Sequence, residues 1–201
     1  MQTFEAIAQR RAVKHYDPQY RMQDAEIKQL LCAAMLSPTS FNIQHWRFVV
    51  VSDTEQRQQL REAAWGQAQV TDASLLVLIC ADVSAWQNQP QRYWQSASEE
   101  NRTTILQTLQ QFYQGRPEMQ HDEALRSCGI AAQTLMLAAK DMGYDSSPMV
   151  GFDFDQVAES INLPKEHIIG MMLAVGKASQ AAWPRGGQLS YDEVVIENRF
   201  A

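Results

Sequence analysis

Arg10-Arg11-Ala12-Val13-Lys14 sets three cations within five residues, directly before His15-Tyr16-Asp17-Pro18, where the chain turns. Arginine presents a planar fork that meets phosphate oxygens two at a time, and lysine adds a point charge, so the spacing suits a dianionic group. The plainer alternative is that cations at a helix C-terminus complement its dipole and stay solvated. A second candidate is Pro38-Thr39-Ser40-Phe41-Asn42-Ile43-Gln44-His45-Trp46, where four polar side chains lie between a helix and a strand. Asn and Gln each offer a donor and an acceptor, which suits the edge of a heterocycle that alternates the two. A turn that satisfies its own backbone through Ser and Asn explains the same residues.

Pro148-Met149-Val150-Gly151-Phe152-Asp153 reads as a helix-to-helix connection, with Asp153 capping the next helix and Gly151 allowing close approach to the backbone. Trp183-Pro184-Arg185-Gly186-Gly187 is a late basic loop; such loops are usually only connections. His15, His45, His121 and His167 are scattered, with no cysteine, serine or carboxylate at a catalytic motif spacing. Gly-x-Ser-x-Gly, Walker, Gly-x-Gly-x-x-Gly and His-Glu-x-x-His motifs are absent, so hydrolase, nucleotidase and metalloenzyme readings lose ground and no metal site is expected. Reaction chemistry then belongs to a bound cofactor, and no catalytic side chain is assigned.

Several elements must position these residues. Thr3 is expected to open a short helix with Phe4, Ile7 and Ala8 on one side, ending at the basic cluster. Asp24 is expected to cap a helix whose Ile27, Leu30, Leu31, Ala34 and Met35 follow helical spacing until Ser37-Pro38 stops it. Trp46 to Val51, Leu75 to Ala81 and Ile168 to Val175 are short apolar runs that read as strands buried on two faces. Residues 121 to 143 carry a helical repeat through Leu125, Cys128, Ala132, Leu135, Ala139 and Met142, with Asp122 before it and Gly143 as a left-handed stop. Ile130, Ala131, Leu137 and Ala138 make its other side apolar, as in a central helix or an obligate interface. From about 84 to 120 a glutamine-rich helical excursion carries Trp86, Tyr93, Trp94, Phe112 and Tyr113, which serve either as ordinary core or as a pocket for a flat ligand.

The 201 residues, 45% apolar and 20% charged, suit a single domain over 1–201 with a sizeable core. No apolar run reaches the roughly 18 to 20 residues of a membrane span. The opening Met1-Gln2-Thr3-Phe4-Glu5 lacks the basic and apolar regions of a secretory signal, so a cytoplasmic location is expected. A formal charge of −6 argues against nucleic-acid or anionic-membrane partners, so any phosphate site must concentrate cations locally. Cys32, Cys80 and Cys128 form no Cys-x-x-Cys pair, and buried thiols are the expectation.

Taken in order, Arg10 to Lys14, the Pro-Thr-Ser-Phe-Asn-Ile-Gln-His-Trp stretch before Phe-Val-Val-Val, and Pro148 to Asp153 resemble the FMN-dependent nitroreductase family. Thr71-Asp72-Ala73-Ser74, Asn162-Leu163-Pro164, Val175-Gly176-Lys177 and the late Trp-Pro-Arg before Asp192-Glu193-Val194 extend the likeness over nearly the whole chain. The resemblance implies an α+β fold with a central mixed sheet flanked by helices. It also implies an intertwined homodimer with FMN at the subunit interface, and a C-terminal strand exchanged with the partner, here Val194-Val195-Ile196.

By the same resemblance Arg10, Arg11, Lys14 and Arg185 hold the phosphate and ring edge, and Ala12 contributes backbone. Pro38, Thr39, Ser40 and Asn42 lie along the flavin from the other subunit, and Pro148, Met149, Val150 and Gly151 approach its redox-active edge. Gln44 stands behind them. The chain departs from the family in three places: Val150 replaces a glutamate and leaves only a backbone donor toward N5; Gly66 lacks a flavin-reaching amide, which makes Gln67 the candidate; His45 replaces a proline. The implied reaction takes hydride from NADH or NADPH and passes two electrons to a small-molecule acceptor, a nitroaromatic or quinone, by a ping-pong exchange. Reductive dehalogenation, ring dehydrogenation and a non-catalytic dimer that binds a flat ligand are the alternatives.

Overall fold

A computed structural model describes residues 1–200. The helices are α1 (Thr3–Gln9), α2 (Asp24–Ala34), α3 (Thr54–Ala63), α4 (Gln69–Asp72), α5 (Glu99–Tyr113), α6 (Pro117–Asp141), α7 (Phe154–Ser160) and α8 (Tyr191–Val194). The strands are β1 (Trp46–Val50), β2 (Leu75–Asp82), β3 (Asp145–Met149) and β4 (His167–Gly176), in the spatial order β1-β2-β4-β3. No helix among the described residues is long and apolar enough to cross a membrane.

β2 is buried at every position, as an apolar run without alternation requires, because helices cover both faces of the sheet. Leu76, Leu78 and Cys80 point to one face with Met172 and Ala174, against Leu60, Phe152 and Val157 of the α3 and α7 side. Leu75 and Val77 point to the other with Leu173 and Val175, against Leu30 of α2 and Leu135 and Ala139 of α6. Ile79 and Ala81 extend that second face to Cys128 and Ala132. The excursion forms its own small cluster: Ala85, Trp86, Leu109 and Tyr113 close over Ile43.

The β2–β4 register jumps from Ile79↔Met171 to Cys80↔Ile169, which leaves Gly170 as the extra residue of a bulge. A Cβ there would lie 2.6 Å from Cys128 Cβ and 3.0 Å from the Ile79 carbonyl oxygen. Glycine at the bulge is therefore what lets α6 sit down on the sheet.

The structure corrects several expectations. All four strands pair antiparallel, not as a mixed sheet, and the one parallel contact among the described residues is the isolated bridge Ala12–Ser146. β1 is buried only at Trp46, because it is an edge strand with one neighbour. Residues 145–149 are the opposite edge strand and not part of a helix-to-helix connection; Pro148 is tolerated there because an edge leaves one row of N–H groups without ladder partners. α6 starts at Pro117, where proline fits the first turn, and not beside Asp122. Thr3 and Asp24 are the first helical residues, and Gln23 caps α2 through a reciprocal capping box with Glu26. Cys32 is exposed, whereas burial pushes the Cys80 and Cys128 thiols up to about 12. Apart from these corrections, Val194 ends the short α8 within the single chain, which neither supports nor contradicts the pairing of Val194–Ile196 with a partner subunit.

Candidate functional site

Arg10 is the C-cap of α1, and beyond it the chain leaves extended along β3, where Val13 N–H donates to the Ser146 carbonyl at 3.1 Å. The late basic loop folds back onto this segment. Arg185 Nη2 donates to the carbonyls of Ala8 and Arg10 at 3.1 and 3.3 Å, and Arg11 Nη2 donates to the Trp183 carbonyl. A helix C-terminus offers such unpaired carbonyls, so the contact answers a need of α1 itself. Arg10, Arg11, Ala12 and residues 183–188 line a cavity of about 350 Å³ with no carboxylate in its wall. Burial and then the neighbouring charges of Arg185 and Arg11 hold the Arg10 guanidinium below its ordinary range. Three cations around one cavity repel one another, and an anion inside it would relieve that repulsion.

Lys14 continues the line toward β3, with Nζ donating to Ser147 Oγ at 3.1 Å. Past Pro148 and the buried Met149, the chain emerges at Val150, which is 62% exposed. The turn is fixed from below. Gln67 Nε2 donates to the carbonyls of Gly151 at 2.7 Å and Ala64 at 3.1 Å, while Gln67 Oε1 accepts from Gln69 Nε2 at 2.9 Å. Asp153 N–H donates to the Ala63 carbonyl at 2.9 Å, and its carboxylate caps α7. Among the described residues the N–H groups of Val150 and Gly151 donate to no acceptor, which leaves two successive backbone donors available at this turn. Gln67, the candidate for a direct ring contact, has its amide nitrogen committed to the Gly151 carbonyl and so shapes the donor pair.

Pro38, Thr39, Ser40 and Asn42 gather elsewhere. Ser37 Oγ donates to Thr134 Oγ1 of α6 at 2.9 Å, and Thr39 Oγ1 accepts from Gln44 N–H at 3.0 Å. Phe41, Asn42 and Gln44 have φ of 50°, 53° and 55°, three non-glycine left-handed residues within four positions. The excursion over-determines this strained loop: Asn42 Nδ2 donates to the Tyr93 carbonyl at 2.9 Å and Trp94 Nε1 to the Phe41 carbonyl at 3.0 Å. Among the described residues none of these hydrogen bonds reaches Arg10–Lys14 or the 150–151 turn. The candidate residues thus fall into two groups that none of these hydrogen bonds joins, one with Arg10, Arg11, Ala12, Lys14, Gln67, Pro148 to Gly151 and Arg185, the other with Pro38, Thr39, Ser40 and Asn42.

His45 ends that loop and is 1% exposed, with Nδ1 3.2 Å from Ser127 Oγ of α6 and Nε2 without a partner among the described residues. Burial, reinforced by Arg47 and opposed by Glu123 and Asp82, pushes its pKa down to about 4. The pairing spans 82 positions, which no motif spacing records. An unfolded His45 binds a proton near its ordinary 6.5 and the folded one does not until about 4, so stability is retained above 6.5 and lost as pH falls between the two values. The loss is expected to reach about 3 kcal/mol at full extent. Urea denaturation of wild type and His45→Asn between these pH values checks it: the substitution should flatten the pH dependence, and equal slopes would refute the assignment.

Sheet, cavity and turn together define an α+β protein with a cation-lined cavity that suits an anion beside the β3 edge. The chain belongs to the nitroreductase family, whose model matches residues 7–177. It is 52% identical over 182 residues to "Protein DrgA" of Synechocystis sp., covering 90% of this chain and 87% of that one. It is 30% identical over 185 residues to "Putative NAD(P)H nitroreductase YodC" of Bacillus subtilis, covering 90% and 91%. An Exiguobacterium sibiricum structure in complex with FMN superposes with a TM-score of 0.90 at 28% identity, over 98% of this chain and 97% of that chain. The family resemblance drawn from the motifs is thereby established.

Proposed function

We propose that the protein is a homodimeric, NAD(P)H-dependent FMN oxidoreductase that reduces nitroaromatic or quinone acceptors. The observation that carries this reading is the cavity lined by Arg10, Arg11 and Arg185 with no carboxylate in its wall, set near the β3 edge that leads to the backbone donors of Val150 and Gly151. An FMN phosphate is a dianion and its ring edge is rich in acceptors, so the donor set fits the group. FMN held by Arg10, Arg11, Lys14 and Arg185 would supply the redox chemistry, acceptance of hydride from NAD(P)H and delivery of two electrons to the acceptor in a ping-pong exchange.

The chain's own residues bind and orient. Arg10, Arg11 and Arg185 hold the phosphate, Ala12 lends backbone, and Lys14 brings positive charge toward the ring. Val150 and Gly151 donate from their N–H groups, and Gln67 keeps that turn in place. Pro38, Thr39, Ser40 and Asn42 cover the ring from the partner subunit. Two observations support the dimer: the hydrogen bonds of the 38–42 loop do not reach the cation cluster or the 150–151 turn, and Phe4, Ile7, Leu125 and Ile130 leave apolar surface exposed on α1 and α6. The exposed Val194, Val195 and Ile196 are the segment that reaches across. No side chain is required as nucleophile or general base.

A visible absorption spectrum of the purified protein tests the reading. A flavin band that bleaches anaerobically with NADH or NADPH and returns on adding a quinone is the expected result. A protein that is colourless, and stays so after incubation with FMN, refutes it.

A further inference from the structure

Against the 38–44 loop lies a second cavity of about 380 Å³, lined by Gln44, Trp46, Arg47, Arg92, Tyr93 and Gln95. Its wall holds two guanidinium groups, two carboxamides and no carboxylate. The two cations differ in how far they are committed. Arg47 Nη1 donates to the carbonyls of Gln44, His45 and Trp46 at 3.0, 3.3 and 3.0 Å, and its Nη2 meets the buried Asp82 carboxylate at 3.3 Å. It is a fixed and largely neutralised strut between the loop and β2. Arg92 is exposed and pairs with no carboxylate among the described residues. Its Nη2 donates to Tyr93 Oη at 2.8 Å, and its Cζ stands 4.9 Å from the centre of that ring, a cation–π contact that holds the guanidinium in place. Trp46 in the same wall is 5% exposed, and its Nε1 has no acceptor among the described residues.

A held guanidinium without a counter-ion, beside carboxamides and an unpartnered indole N–H, suits a phosphate monoester. The position says which one. Asn42, assigned above to cover the flavin from the partner subunit, donates from Nδ2 to the Tyr93 carbonyl at 2.9 Å and accepts from Gln44 Nε2 at 3.3 Å, so two residues of the cavity wall touch it. A ligand held here lies one side chain away from the cover of the flavin ring. That is the place for the far end of a dinucleotide whose nicotinamide meets the flavin, and the phosphate monoester that distinguishes the two nicotinamide donors is the 2′-phosphate of NADPH. We propose that this cavity takes the adenosine 2′-phosphate of NADPH and that Arg92 makes the protein prefer NADPH to NADH. The proposal rests on the flavin reading above and assigns residues outside the FMN-holding set.

The test compares FMN-loaded wild type with Arg92→Gln and with Arg102→Gln, the latter removing an equal charge from α5 outside the cavity wall. Wild type should have a higher kcat/KM with NADPH than with NADH. Arg92→Gln should lower that ratio about tenfold, mainly through KM, the size of one lost charge-assisted contact. Calorimetry adds a readout without turnover: 2′,5′-ADP, which carries the 2′-phosphate, should bind FMN-loaded wild type more tightly than 5′-AMP, and Arg92→Gln should remove most of that difference. Arg102→Gln should leave both readouts as in wild type. An unchanged ratio in Arg92→Gln, or an equal fall in Arg102→Gln, overturns the proposal, the second because it would report net charge and not a site. A wild-type protein that never takes up flavin removes the underlying reading as well. A flavin-loaded wild type that uses both donors equally removes this proposal alone.

Discussion

Arg185→Ala is expected to weaken FMN binding by about one to two orders of magnitude, the range for losing a charge-assisted phosphate contact. The substitution removes a cation from the cavity wall and releases the late loop, which Arg185 fastens to the Ala8 and Arg10 carbonyls. Arg10→Ala should cost similar affinity but differ in a second readout. Arg10 sits under repulsion from Arg185 and Arg11, so its removal relieves the cavity when no anion is present. The FMN-free Arg10→Ala protein should therefore melt no lower than FMN-free wild type, while the gain in melting temperature on adding FMN shrinks. Fluorescence titration of FMN and thermal denaturation with and without it check both statements. Wild-type affinity in both variants would mean the phosphate lies elsewhere.

Gly170→Ala is expected to destabilise the fold by about 1–3 kcal/mol, the usual cost of overpacking a core. Its methyl would stand 2.6 Å from Cys128 Cβ and 3.0 Å from the Ile79 carbonyl oxygen, between a bulged strand and the helix packed on it. Neither neighbour is the far end of a flexible side chain, so α6 or β4 must move. Cys128→Gly removes the nearer obstacle at a cost of about 1–2 kcal/mol, mostly the burial lost with the thiol side chain and partly helix propensity. The double variant should consequently be more stable than the sum of the two single effects, a coupling that urea denaturation measures. Strict additivity, or an undisturbed Gly170→Ala protein, would contradict the close approach of helix and sheet.

What the sequence discloses follows from where the information lies. β2 and α6 are legible because continuous apolar runs and helical spacing are local properties and burial enforces both. β3 is not, since Asp-Ser-Ser-Pro-Met has no strand preference and is held extended by pairing with β4. The half-buried state of β1 depends on its edge position, which is set by topology. Within the site, Arg10, Arg11 and Lys14 stand out as a local cluster. Arg185 joins them only through the fold and the family pattern, and Gln67's hold on Gly151 crosses 84 positions.

The contacts that close the cavity join residues 172 to 177 positions apart, from Ala8, Arg10 and Arg11 to Trp183 and Arg185. All three are exposed hydrogen bonds on the segment that follows β4, and exposed contacts open at a lower free energy than a buried sheet. They behave as a clasp, which opens far more often than the sheet beneath it unfolds. Cofactor exchange would then run at the pace of the clasp, leaving the body of the protein intact between one FMN and the next.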